Sequence, residues 1–284
     1  MRRNKFALTL VLLIIVIGCT AAHAADKIKM GVLALKFEEN KAKPTGASRL
    51  DIVKQFPTDE FEIHPILDLD AEPDPAATEI VSKVFGDAKP VDALSADALS
   101  DLDVIVSSRE WFVRPETITA IHAAVSKGTG LLIQTPMGLR SPGLHEGKLL
   151  ELHGMSQATY FYYASTHGKN TCKTTGDNPL YPADQVSEVP ITGLNGLIGD
   201  FHGQGILEAP PVKDAFDPKQ LVDLSHPPVF YAIYTAQVGQ GRVIGFNWYL
   251  PVPPAQIEKV SPGGFCRKCA KWVAAGKHAA ATQP

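Results

Sequence analysis

The sequence predicts a three-layer α/β fold, with a mostly parallel central sheet held between flanking helices. Three observations carry that reading. The first is Ala98–Gly138, which reads as strand, helix, strand. Leu102–Ser107 is a β-branched run, and Pro115–Lys127 sets Ile118, Ile121 and Val125 at helical spacing. Gly128 and Gly130 stop that helix, and Leu131–Gln134 is a second apolar run. A βαβ unit of this length implies two parallel neighbouring strands with a right-handed crossover. The second observation is Lys27–Leu35, which starts in alternation and ends fully apolar, as a strand entering a doubly covered sheet does. The third is a hairpin near the C-terminus: Val229–Thr235 and Val243–Tyr249 flank Gly239-Gln-Gly-Arg242, whose glycines can supply positive φ.

In chain order, the first two dozen residues read as a targeting segment. A basic start (Arg2, Arg3, Lys5), the apolar run Phe6–Ile17 and the A-x-A site Ala22-His-Ala24 form a secretory signal, giving a mature start at Ala25. Val16-Ile-Gly-Cys19 also resembles a bacterial lipobox, in which Cys19 would carry a lipid. The expectation is therefore a bacterial protein exported to the periplasm or beyond, with membrane contact only through a lipid on Cys19. The domain spans 25–278, and 279–284 form a tail.

Glu38–Ser48 reads as a loop after the first strand, and Arg49–Phe56 as a short amphipathic helix. Glu60–Leu67 is a second strand, in which Pro65 argues for an edge position or an early end. Ala76–Phe85 is a helix with Ile80, Val81, Val84 and Phe85 inward. After Gly138 the pattern loosens: Arg140–Gly147 is loop, Lys148–His153 a short helix, Ala158–Ser165 an aromatic-rich strand, and Thr166–Pro190 an irregular stretch. Leu221–Leu224 is a further strand candidate. Phe265–Ala275 closes the chain as a helix with Phe265, Cys269, Trp272 and Val273 on one face.

The 284-residue chain has a formal net charge of −3, which becomes −6 when Arg2, Arg3 and Lys5 leave with the signal. A mildly acidic chain without Lys/Arg clusters is a poor nucleic-acid binder. No later apolar run is long enough to cross a bilayer.

The order of segments resembles the trehalose-utilisation (ThuA-like) domains of the class I glutamine amidotransferase-like superfamily, whose sheet is flavodoxin-like. The matching pieces are Leu102-Asp-Val-Ile-Val106 with its helix and Gly128-Thr-Gly-Leu-Leu-Ile133, Leu149–Gly154, Val189-Pro-Ile-Thr-Gly-Leu194, Pro228–Tyr234 with Gly239-Gln-Gly-Arg-Val243, and Phe265–Gly276. The chain departs from the family where a His often ends the glycine-led strand (here Gln134-Thr-Pro136), where "HPIT" begins (here Val189), near His202-Gly-Gln204, and at Tyr249-Leu250. The resemblance implies a carbohydrate-related role. A glutaminase of this superfamily needs a Cys nucleophile and an activating His at the turn near Gln134–Gly138. That turn holds no Cys, and Thr135 has no adjacent base.

Other residues offer weaker chemistry. Cys266-Arg-Lys-Cys269 is a disulfide candidate, with Cys172 as an alternative partner; redox exchange, metal binding and simple burial are the competing readings. No His pair has metal-ligand spacing, although His145, His153, His167 and His202 cluster in the irregular middle. No metal and no cofactor is implied. The preferred stretch is Ser107-Ser-Arg-Glu-Trp-Phe112, at the carboxyl end of a predicted parallel strand. Arg109 and Glu110 would engage sugar hydroxyls and Trp111 would stack on a sugar face, with Thr135 and His202 as further ligand contacts; packing of Trp111 and Phe112 against a loop is the alternative. The expected function is binding of a small polar ligand of carbohydrate type, without glutaminase activity. A hydrolase or sugar-modifying enzyme and a structural envelope protein are the other readings.

Overall fold

The computed structural model describes residues 26–35, 50–72, 75–134, 137–138, 141, 147–163, 169–176, 178–181, 188–192, 194–209, 230–248, 255–259 and 264–281. The signal segment with Cys19, the loop after the first strand, Leu221–Leu224, Thr135, His145 and His167 lie outside them.

The elements are β1 (Ile28–Leu33), a 3-10 helix (Leu50–Gln55), β2 (Phe61–Leu67), α1 (Pro75–Phe85), β3 (Val91–Asp92), α2 (Ala96–Ser100), β4 (Val104–Ser108), α3 (Pro115–Ser126), β5 (Gly130–Gln134) and α4 (Gly147–Leu152). There follow β6 (Met155–Tyr163), β7 (Lys169–Thr174), β8 (Glu188–Thr192), β9 (Asn195–Phe201), β10 (Gln204–Glu208), β11 (Tyr231–Val238), β12 (Gly241–Phe246), α5 (Ala255–Lys259) and α6 (Phe265–Ala281). The main sheet has ten strands in the order β3-β2-β1-β4-β5-β12-β11-β10-β7-β8, and β6 and β9 pair as a second, antiparallel sheet. Every pairing from β3 to β12 is parallel. Every pairing beyond β12 is antiparallel.

Strand alternation divides the core into two layers. Met30 and Val32, Val104 and Val106, Leu132, and Ile244 and Phe246 face one side, with Phe265, Cys269, Ala270 and Val273 of α6. Leu33, Ile105, Leu131, Ile133 and Val243 face the other, with Ile118, Ile121, Ala124 and Val125 of α3. The inward residues expected on α1 pack against the first of these layers. Helices therefore cover both faces, as the apolar runs of the parallel strands require.

Pro65 sits in a strand bounded only briefly on its outer side. Leu67 accepts from Ala93 of the β3 side, whereas Ile66 accepts from Ala34 on the β1 side. Residues alternate sides, so the imide of Pro65 points outward, one step before β3 begins, where no donor is needed. The edge expectation is corrected: β3 lies outside β2 and is the edge strand, the outer side of β2 is open only up to Pro65, and the strand runs on to Leu67.

Two expectations are corrected here. Within the stretch expected as an amphipathic helix, Leu50–Gln55 winds as a 3-10 helix. The stretch Thr166–Pro190, expected to be irregular, contributes β7 and the start of β8. Among the residues of these two strands whose burial is described, Cys172, Val189 and Ile191 face the core, while Thr171, Lys173 and Glu188 are exposed. Three apolar residues on two polar strands give too sparse an alternation to read.

The hairpin turn is Gly239-Gln240, closed by the pair Val238 and Gly241. Gly239 has φ 56°, as the first central position of a type II′ turn demands. Outside the core, Glu60 holds α6 to the foot of β2 by accepting from the guanidinium of Arg267 and pairing with Lys271 at 3.0 Å. Lys277 donates 2.8 Å bonds to the carbonyls of Ser100 and Leu102, at the end of α2.

Where α6 crosses β5, a side chain on Gly130 would meet the backbone carbonyl carbon of Val273 at 2.7 Å. Rigid backbone cannot yield as a side chain can, so Gly130→Ala is expected to cost about 1–3 kcal/mol through overpacking. Urea denaturation of the variant would show a lower midpoint with unchanged slope; an unchanged midpoint would mean that the helix can move away freely.

Candidate functional site

The strand order places a topological switch between β1 and β4. The chain leaves β1 for β2 on one side and returns to β4 on the other. Open α/β sheets bind ligands in the crevice outside the carboxyl ends of such strands. Here those ends are Ala34-Leu35 and Ser108–Trp111.

Arg109 follows the last residue of β4 with φ 59°, the one positive φ at a non-glycine among the described residues. Its neighbours hold it there. The Arg109 N–H donates to the Gln134 carbonyl at 2.9 Å, extending the β4–β5 ladder by one step. The Trp111 N–H donates back to the Arg109 carbonyl at 3.1 Å, closing a three-residue turn around Glu110. The Gly138 N–H donates to the Glu110 carbonyl at 2.7 Å. Side chains continue the join: Ser108 donates its hydroxyl to Gln134 Oε1 at 2.7 Å, and Ser141 Oγ accepts from the Val113 N–H at 2.7 Å. The loops leaving β4 and β5 are thus fastened into one unit.

This unit is polar and buried. Ser107, Ser108, Gln134 and Glu110 are each at most 1% exposed, and Arg109 is 9% exposed. Trp111 is half-buried, with the Arg109 guanidinium 5.9 Å from its ring centroid. Arg109 and Trp111 therefore stand together as expected. Glu110 lies inside rather than displayed toward solvent.

Beneath the unit lies His153, which is fully buried. Its Nε2–H donates to the Met137 carbonyl at 3.0 Å, so Nδ1 is free to accept from the Tyr234 hydroxyl at 2.9 Å. Burial lowers its pKa from 6.5 to about 4, the bond to Met137 opposing that fall only in part, and the ring stays neutral. His153 is thus a core histidine, and it pins the loop that carries Met137 and Gly138.

His202 does not join this group. It is exposed and precedes Gln204, whose register runs through Thr235 and Ile244 to Leu132. That row lies two residues below Gln134, and β10 is four strands away from β4. The disulfide candidates are also corrected. Cys172, Cys266 and Cys269 are all free thiols, and all are buried in one apolar layer. Burial pushes the Cys172 thiol up to about 12 and raises Cys266 and Cys269 further, so none is a ready thiolate. Among the described residues no group of His, Cys, Asp and Glu is arranged to hold a metal ion.

Sequence reasoning passed over Gln134, Ser141 and His153. A signal for one of them was present. Ser108 and Gln134 end two apolar strands at the same register, which marks a polar pair on a shared edge.

Two predictions follow from this geometry. A left-handed non-glycine residue carries about 1 kcal/mol of backbone strain, which glycine does not. Arg109→Gly is therefore expected to unfold at higher denaturant than Arg109→Ala, by about 1 kcal/mol; equal stabilities would show an unstrained turn. For His153, the unfolded chain takes up a proton as pH falls through 6.5, whereas the folded chain does so only near 4. The stability held above pH 6.5 is therefore lost toward pH 4, by about 3 kcal/mol from this residue. Chemical denaturation between pH 7 and 4.5 should show a smaller loss in His153→Gln than in the parent, on a lower baseline; parallel pH curves would contradict the assignment.

No family model and no curated protein matches the chain. Solved structures do. A ThuA-like protein from Bacteroides uniformis aligns over 90% of this chain and 93% of its own, at 9% identity and a TM-score of 0.50. A cytoplasmic protein of Salmonella typhimurium LT2 aligns over 87% and 99% respectively, at 13% identity and a TM-score of 0.46. A GH42 β-galactosidase from G. stearothermophilus aligns over 79% of this chain, at 12% identity and a TM-score of 0.46, and the chain spans only 28% of that enzyme. The parallel sheet, its two helical layers and the near-complete alignment with the Bacteroides protein agree: this chain shares the fold of that ThuA-like protein, an α/β fold with a mostly parallel central sheet between flanking helices.

Proposed function

We propose that this chain is an exported bacterial protein that binds a small polar ligand of carbohydrate type at the carboxyl ends of β1 and β4, without glutaminase chemistry. The single observation behind this reading is the left-handed backbone of Arg109 at the switch point. A strained non-glycine conformation persists only where its surroundings over-determine it, and such residues concentrate at ligand sites. The guanidinium offers donors in a fixed fork, which suits hydroxyl-rich ligands, and half-buried Trp111 keeps an apolar ring beside it. Ser108 is no substitute for a cysteine nucleophile. Its hydroxyl proton is directed to the amide oxygen of Gln134, which is not a base.

Thermal-shift screening against mono- and disaccharides, followed by calorimetry, tests the reading. At least one sugar should raise the melting temperature, and Arg109→Ala and Trp111→Ala should each weaken its binding about tenfold, or about 1.4 kcal/mol. A protein that responds to no sugar defeats the carbohydrate assignment. A response that survives both substitutions moves the site elsewhere.

A further inference from the structure

A cavity of about 370 Å³ opens between α1 and the carboxyl end of β2, outside the Arg109 turn. Its walls are mainly apolar: Ala34, Pro65, Leu67, Val81 and Pro90 line it. Leu69, the one large apolar side chain strongly exposed among the described residues, also belongs to its lining, at 54% exposure. An apolar cavity with an apolar side chain left in water beside it is a surface short of an occupant.

Asp68 supplies its polar anchor. The side chain is only 9% exposed, and Arg114 donates from Nη1 to Oδ2 at 2.5 Å. The other oxygen, Oδ1, is buried and accepts no hydrogen bond among the described residues. A buried carboxylate oxygen without a donor lacks a partner that a ligand N–H would supply. The surrounding charge selects the kind of donor. Among the described residues, Asp68, Asp70 and Glu72 place three carboxylates within five residues on this side, with Arg114 paired to the first, while Lys83 and Lys89 adjoin the opposite wall.

From the cavity, its apolar walls and the buried Oδ1 we infer that this is a second ligand site, which takes a small organic cation: a primary ammonium on an apolar body. The ammonium donates to Asp68 Oδ1, and the body fills the space between β2 and α1. A neutral alcohol of the same shape gains the hydrogen bond without the charge attraction, and a carboxylate is repelled.

Calorimetric titration of the full chain with phenethylamine, 2-phenylethanol and phenylacetate tests this. The amine should bind at least tenfold more tightly than the alcohol, and the acid should not bind. Asp68→Asn should reduce amine affinity at least tenfold and leave the alcohol unchanged. Ala77→Phe, which fills the cavity without touching Asp68 chemistry, should abolish binding of both while retaining cooperative unfolding; it serves also if Asp68→Asn does not fold. Amine and alcohol of equal affinity, an amine that ignores either substitution, or no amine binding at millimolar concentration would each overturn the proposal. The sugar response of the Arg109 site should be unaffected by Ala77→Phe, so the two sites fail or stand separately.

Discussion

Burial of the central strands on both faces is the constraint on which the rest depends. Along β1, β4, β5 and β12 successive apolar side chains enter opposite layers, one under α6 and the other under α3. A slip of one residue in any of them would exchange the two sets and send each side chain against the wrong helix. Each fully buried Val, Leu or Ile contributes about 1.5–3 kcal/mol relative to exposure, so register in this block is held far more strongly than any single turn could hold it. The consequence at the carboxyl edge is direct. Ser108, Gln134 and Phe246 end in one row because Val106, Leu132 and Ile244 lie in another.

That fixed row is what allows Arg109 its conformation. Its N–H continues the ladder to Gln134, and the next amide turns back on its carbonyl, leaving no freedom to relax into the right-handed region. The strain involved, about 1 kcal/mol, is smaller than the burial of one core side chain beneath it. A structure with this much apolar support can carry such a residue without loss of cooperativity. The polar groups around it, from Ser108 to Ser141, do not hold the fold together; they aim one loop against the next.

The sequence displayed the block and hid the edges. The β4–α3–β5 unit, β1, the C-terminal hairpin and α6 were legible because each repeats an apolar period over enough residues to stand out. β7 and β8 were not, since among their described side chains Cys172, Val189 and Ile191 carry the core-facing signal in two polar strands. The Arg109–Trp111 position was legible from the rule that parallel strands present ligands at their carboxyl ends. The left-handed backbone was not, because nothing local to Ser-Arg-Glu prefers it; it is imposed by Gln134, twenty-five residues on. His153 was hidden for the same reason. Its partners, Met137 and Tyr234, lie 16 and 81 residues away.

The chemistry of this interior bears on what kind of site it can be. Acyl transfer by a side chain needs a nucleophile whose proton has somewhere to go. Among the described residues, the three thiols are held protonated by burial in the α6 layer, away from the carboxyl edge. The buried imidazole is neutral, but both its nitrogens are committed, one to a carbonyl and one to a phenol. The serine at the strand end donates its hydroxyl hydrogen bond to an amide oxygen. What the edge does offer is a guanidinium beside an indole, on a turn whose backbone is held by hydrogen bonds. Preorganised donors next to an apolar face lower the ordering cost of recognition and leave the bound molecule unchanged. The recognition proposed above rests on where the protons are held as much as on which residues are present.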